Sequence, residues 1–144
     1  MSDNSHAEIL VVDDDAMSRR VLAQLLRAAG YECRVCKDGF EALDMVHEKT
    51  PTLLLLDFDM PGANGAEVLI RLRTDPQPGI AQIPTILLTA HGSEQSEVSC
   101  LQAGADEVEV RRPDQPLAGL GLAVHHLHEG GEITEQERLE LLVG

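Results

Sequence analysis

Short apolar runs alternate with longer amphipathic stretches along this chain. Residues 9–12 are apolar, mostly β-branched and unbroken, as buried strands are. The run ends in Asp13, Asp14 and Asp15, which can cap a following helix. Met17, Val21, Leu22, Leu25 and Leu26 then recur at helical spacing, and Gly30 stops the helix. Residues 32–36 read as a second strand. Residues 38–48 read as a second helix with Ala42, Leu43 and Val46 on one face. Residues 53–56 form an uninterrupted apolar strand ending at Asp57. A loop with Pro61, Gly62 and Gly65 follows, then a helix carrying Val68, Leu69 and Leu72 that ends before Pro76. Residues 84–88 are a fourth strand ending at Thr89, residues 93–102 a fourth helix, and residues 108–110 a fifth strand. A last helix opens near Asp114 and shows Leu117, Leu120, Val124 and Leu127.

Strand and helix thus alternate five times, and the strands are apolar on both faces. Strands covered by helices on both sides read this way. Right-handed crossovers predict one open, doubly wound, five-stranded parallel sheet. The α/β unit covers residues 8–128. Residues 1–7 are polar and are expected to be disordered. Residues 129–144 are a tail or the start of a linker helix, with Thr134 and Glu137 at capping-box spacing.

Composition narrows the partners. Among 144 residues, 11 are Lys or Arg and 25 Asp or Glu, for a net charge of −14. That balance argues against direct nucleic-acid binding and against an anionic membrane surface. No apolar run is long enough to span a bilayer, and the first residues lack the pattern of a secretory leader. Three cysteines without a disulfide pattern fit a reducing cytoplasm. Cys33 and Cys36, three apart on a strand, face opposite sides and are expected to be ordinary and half-buried. His125, His126 and His128 read as a polar helix face. Gly119 and Gly121 loosen the last helix or let it pack closely.

In open α/β sheets, ligands bind outside the carboxyl ends of the strands. Asp13 and Asp14, Asp57, Thr89, and Arg111 or Arg112 collect there. Three converging carboxylates repel one another, and a hard divalent cation relieves that; Mg²⁺, which takes oxygen ligands, suits them. With a phosphoryl donor, Asp57 becomes a nucleophile, the metal and a cationic side chain neutralise the phosphoryl oxygens, and the Thr89 hydroxyl donates to one of them. The bland alternatives are a helix cap at residues 13–15, a backbone-bonded Thr89 and surface arginines.

The stretches ILVVDDDAMSRRVLAQLLRAAGYE, LLLLDFDMPGANG, IPTILLTA and LQAGADE resemble the receiver domains of two-component response regulators, in order and spacing. The resemblance implies a flavodoxin-like fold with strand order 2-1-3-4-5. It implies Asp57 as phospho-acceptor, Asp14 as a direct Mg²⁺ ligand, Asp13 acting largely through water, and the backbone carbonyl of Asp59 as a further ligand. Thr89 becomes the switch hydroxyl, and His91, like Asp59, falls where the family lines its site; a plain loop role for His91 stands beside this. The phosphoryl group comes from a histidine kinase or phosphotransfer protein, and the helix at 93–102, strand five and the last helix form a face for a homodimer. The module itself is not an enzyme.

The chain departs from the family in strand five, where a Lys followed by Pro is usual. Arg111 takes the Lys slot if the count runs from AGAD, and Arg112 takes it if one residue is inserted; the former places Asp114 at the helix cap. Arg is a planar fork rather than a compact ammonium. Two further readings stand. One is a degenerate receiver that binds partners without phosphorylation. The other is a phosphatase of the haloacid-dehalogenase type, suggested by Asp57-Phe58-Asp59 but opposed by Pro61 and by acidic residues that precede the motif.

Overall fold

A computed structural model describes residues 7–90 and 94–111, together with Leu120, Ala123, Val124 and Leu127. Five strands form one parallel sheet in the order β2-β1-β3-β4-β5. They are β1 (Glu8–Val12), β2 (Glu32–Cys36), β3 (Leu53–Asp57), β4 (Thr85–Thr89) and β5 (Glu107–Val110). The connecting helices are α1 (Ala16–Ala28), α2 (Gly39–Glu48), α3 (Gly65–Arg73), α4 (Pro78–Ala81) and α5 (Glu94–Gln102). This is the expected doubly wound order.

The apolar strands bury both faces because successive side chains point to opposite sides. Leu10, Val12, Leu54, Leu56 and Leu87 pack on one side against α2, α3, α4 and α5. Ile9, Val11, Leu53, Leu55, Ile86 and Leu88 pack on the other against Leu22 and Leu26 of α1 and against Leu120, Ala123 and Val124. Ala7, the last residue of the expected N-terminal tail, is buried, and its carbonyl accepts from the Glu32 N–H.

Short polar side chains start three of the helices. Asp15 accepts from the Ser18 N–H at 2.8 Å, Asp38 from the Glu41 N–H at 2.8 Å, and Asn64 from the Glu67 N–H at 3.0 Å. Gly30, at φ 96°, ends the first helical stretch in the left-handed region that favours glycine.

Three details differ from the sequence expectation. On α1 the buried residues are Leu22, Ala23 and Leu26, whereas Met17, Val21 and Leu25 are 65%, 38% and 46% exposed. The helix shows the sheet the stripe that carries Leu22 and Leu26, so the 17-21-25 row falls outside. The helix α4 is an addition: the sequence pattern predicts no element over residues 77–83, yet Ile80 and nearby Ile83 anchor a short helix in the core. Cys36 is buried rather than half-buried, although Cys33 does face the other side. Burial pushes the Cys36 thiol up to about 12 and the Cys33 thiol to about 11, so neither is a thiolate near neutrality.

His47 ties α2 to the turn after α3. Its Nδ1 lies 2.7 Å from the Leu43 carbonyl and its Nε2 2.7 Å from an Asp75 carboxylate oxygen. Both partners are acceptors, so only the imidazolium makes both bonds. The Leu43 carbonyl and then Asp75 raise the His47 pKa. A raised histidine pKa gives stability present below the unfolded value of about 6.5 and lost as pH rises through the folded value. The urea midpoint of His47→Gln is therefore lower than wild type at pH 5.5, and the gap closes by pH 9. A gap independent of pH contradicts the clasp.

Among the described residues, no helix is long and apolar enough to cross a membrane.

Candidate functional site

Parallel strands bring their carboxyl ends to one edge, and this edge is acidic. Asp13 follows β1 directly, and Asp57 and Thr89 are the last residues of β3 and β4. Arg111 follows β5. Asp13 is 1% exposed and Asp57 6%, while Asp14 is exposed to solvent. One carboxylate oxygen from each of Asp13, Asp14 and Asp57 lies within 4.8 Å of the others.

Each side chain is held from several directions. One Asp57 oxygen accepts the Asp59 N–H at 3.1 Å, and an Asp59 oxygen accepts the Ala90 N–H at 3.1 Å, tying the loop after β3 to the residue after Thr89. Asp13 Oδ1 accepts the Asp15 N–H at 2.9 Å. Its Oδ2 accepts the Ser18 hydroxyl at 2.5 Å and Arg111 Nη2 at 2.7 Å. Arg111 Nη1 also donates to Ser18 Oγ at 2.8 Å, and the Arg111 N–H bonds the Thr89 carbonyl at 2.7 Å. Arg19 Nη1 donates to the Asp13 carbonyl at 2.8 Å.

The two buried aspartates are driven apart in acidity. Burial, then the charge of Asp13, pushes Asp57 up to about 7. Burial pushes Asp13 up as well, but the hydrogen bonds from Ser18, Arg111 and the Asp15 N–H outweigh it and leave Asp13 below the usual carboxylate range. Asp57 is thus a desolvated oxygen donor whose charge is incompletely compensated. An all-oxygen cluster with that deficit fits a hard cation such as Mg²⁺, which uses few carboxylates and keeps waters. Asp13, Asp14 and Asp57 could hold it through their side chains.

Of the residues singled out from the sequence, the fold brings together Asp13, Asp14, Asp57, Asp59, Thr89 and Arg111. It places Arg111, in the slot counted from AGAD, on Asp13. Arg112, His91 and the histidines at 125, 126 and 128 lie outside the described residues. Sequence reasoning missed Ser18 and Arg19. In the sequence they read only as first-turn residues of a helix. Nothing in the periodicity says that the first turn of α1 leans over the end of β1.

A flavodoxin-like sheet with an acidic rim at its carboxyl edge defines a class of ligand-binding α/β domains. The model of the response regulator receiver domain matches residues 9–111. The chain belongs to that family, the receiver domains of two-component signalling. It is 38% identical over 108 residues to the phosphate regulon transcriptional regulatory protein PhoB of Pseudomonas aeruginosa, covering 75% of this chain and 46% of PhoB. It is 40% identical over 139 residues to protein-glutamate methylesterase/protein-glutamine glutaminase 5 of Myxococcus xanthus, covering 93% of this chain and 36% of that protein. The chain therefore spans about half or less of these relatives. The receiver domain of a signal transduction histidine kinase from Syntrophus aciditrophicus superposes with a TM-score of 0.75 at 29% identity, over 90% of this chain and 95% of that one.

Proposed function

We propose that this receiver domain is a phosphorylatable switch. A histidine kinase or phosphotransfer protein supplies the phosphoryl group. A carboxylate oxygen of Asp57 attacks the phosphorus, the P–O bond of an acyl phosphate forms, and the P–N bond of the donor phosphohistidine breaks. Asp14, Asp57 and the Asp59 carbonyl would hold Mg²⁺, with Asp13 acting largely through water, and the ion would neutralise charge on the transferring group. Thr89 donates its hydroxyl to a phosphoryl oxygen, and Arg111 supplies the fixed cation from the end of β5. The clustering of Asp13, Asp14 and Asp57 within 4.8 Å, on a rim where Asp57 is pushed up to about 7, carries this reading.

Phosphorylation then shifts a pre-existing equilibrium and changes partner affinity. The exposed Val98 and Leu101 of α5 supply apolar area beside β5 for a homodimer or an effector. The module acts in the cytoplasm through protein contacts rather than by binding DNA itself, in keeping with a net charge of −14.

The test is incubation with a small-molecule phosphodonor and Mg²⁺, read by intact mass. Wild type gains one phosphoryl group, EDTA blocks the gain, and Asp57→Ala gains none. Labelling that persists in Asp57→Ala refutes the assignment. An inert but folded wild type favours the phosphorylation-independent interaction module.

A further inference from the structure

The sequence pattern gives Ser18 no role at the rim, yet its side chain closes a ring there. Its hydroxyl donates to Asp13 Oδ2 at 2.5 Å and accepts from Arg111 Nη1 at 2.8 Å, while Arg111 Nη2 reaches the same Oδ2 at 2.7 Å. The other Asp13 oxygen is taken by the Asp15 N–H. Both oxygens of Asp13 are therefore engaged before any metal arrives. Arg111 Nε is buried and has no hydrogen-bond partner among the described residues.

The chemistry of the guanidinium explains why a hydroxyl matters at this place. An ammonium is a compact point charge with three donors that rotate freely to suit their acceptors. A guanidinium is a planar fork that one carboxylate can satisfy only with both of its oxygens, and here the Asp15 N–H already holds Asp13 Oδ1, so the second end needs another acceptor. Asp13 takes one end and Ser18 the other. Ser18 is the only one of the three without a charge, and its hydroxyl both donates and accepts, which is what a bridge between an anion and a cation requires.

We propose that Ser18 is a positioning residue that parks the Arg111 fork on Asp13, so that Arg111 and a divalent cation compete for one carboxylate. The inference rests on the reading of the rim as a Mg²⁺ site. Removing the hydroxyl takes a donor from Asp13 and an acceptor from Arg111. Both changes free Asp13, so the rim binds the cation more tightly. Removing the guanidinium frees Asp13 further and leaves Ser18 with little to position. A phosphoryl group on Asp57 draws the fork away from the ring. The link between the first turn of α1 and the end of β5 then opens, which connects the rim to α1.

Titration of the whole chain with MgCl₂, followed by ¹⁵N amide shifts of residues 13–18, tests this, with thermal melts to confirm folding. Ser18→Ala tightens the Mg²⁺ Kd by about tenfold, the low end of what one hydrogen bond to a charged group is worth. Ser18→Thr, which keeps the hydroxyl, stays near wild type. Arg111→Gln tightens Kd at least as much, and in that background Ser18→Ala adds less than half of its effect in wild type. If Mg²⁺ binds but Ser18→Ala leaves Kd unchanged, weakens it, or acts equally with and without Arg111, the positioning role is overturned and the metal site stands. If none of the four proteins, Ser18→Thr aside, binds Mg²⁺, both the metal reading and this inference fall.

Discussion

Asp57→Asn makes the domain more stable at pH 8, although it removes a buried residue at the centre of the site. Burial and the neighbouring Asp13 charge hold the folded Asp57 at about 7, well above an unfolded carboxyl. Between about pH 4 and pH 7 the folded chain therefore carries more protons here than the unfolded chain. Stability falls as pH rises through that window, and the penalty is complete above it. Asn keeps the shape and still accepts the Asp59 N–H, but carries no charge. Solvent screening and local relaxation reduce the raw linkage figure, so the expected gain is ~1–2 kcal/mol. Melting curves record this as a rise in Tm of roughly 5 °C. At pH 4 the wild-type carboxyl is already protonated in the fold and the difference vanishes. A variant less stable than wild type at pH 8, or a gain that does not depend on pH, contradicts the electrostatic account. Saturating Mg²⁺ raises wild type toward the variant, because a ligand that binds only the folded state stabilises it.

Gly65→Ala has the opposite effect, and a larger one. The first residue of α3 presses on the end of β3. A Cβ there meets the Asp57 carbonyl at 2.6 Å and the Phe58 Cα at 2.9 Å, and Leu87 Cδ2 at 2.8 Å. The two backbone atoms cannot step aside as a flexible side chain does. The Gly65 N–H also donates to the Phe58 carbonyl, so α3 cannot back away without losing that bond. Either the helix start moves or the strand end bearing Asp57 moves. The cost is roughly 3 kcal/mol, at the upper end for an overpacked site. The urea midpoint falls accordingly, and phosphodonor labelling slows, because the displaced backbone carries the acceptor. An alanine variant with wild-type stability shows that the approach of α3 to β3 is looser than this.

Much of the fold was legible in the chain because the strands announce themselves. Residues 53–56 are four leucines in a row between turn residues, as a strand covered on both faces reads, and Asp57 marks where the cover ends. Asp13 and Thr89 close their strands in the same way, so the rim could be assembled on paper. The misses have physical reasons. An apolar stripe at helical spacing fixes a period but not a phase, so Met17, Val21 and Leu25 share the stripe with Leu22 and Leu26 in the sequence but stand exposed, while Ala23 is buried. A four-residue helix has no period to read, and the Pro and Gly around Ile80 hide it. The sequence could not place either arginine, because that turns on one residue of register; the pairing of Thr89 with Val110 puts Arg111 just past the end of β5. Ser18 escaped because its partners lie 5 and 93 positions away in the chain.

The central claim is that buried aspartates from separate strands jointly prepare one of them to take a phosphoryl group with Mg²⁺. It is tested most directly by locating that group. The chain is treated with phosphodonor and Mg²⁺, the acyl phosphate is reduced with borohydride, and peptides are sequenced by mass spectrometry. The account predicts reduction at residue 57 alone, absent when EDTA is present and absent in Asp13→Asn/Asp14→Asn. Modification at another carboxylate, or at Asp57 to the same extent without Mg²⁺, contradicts it.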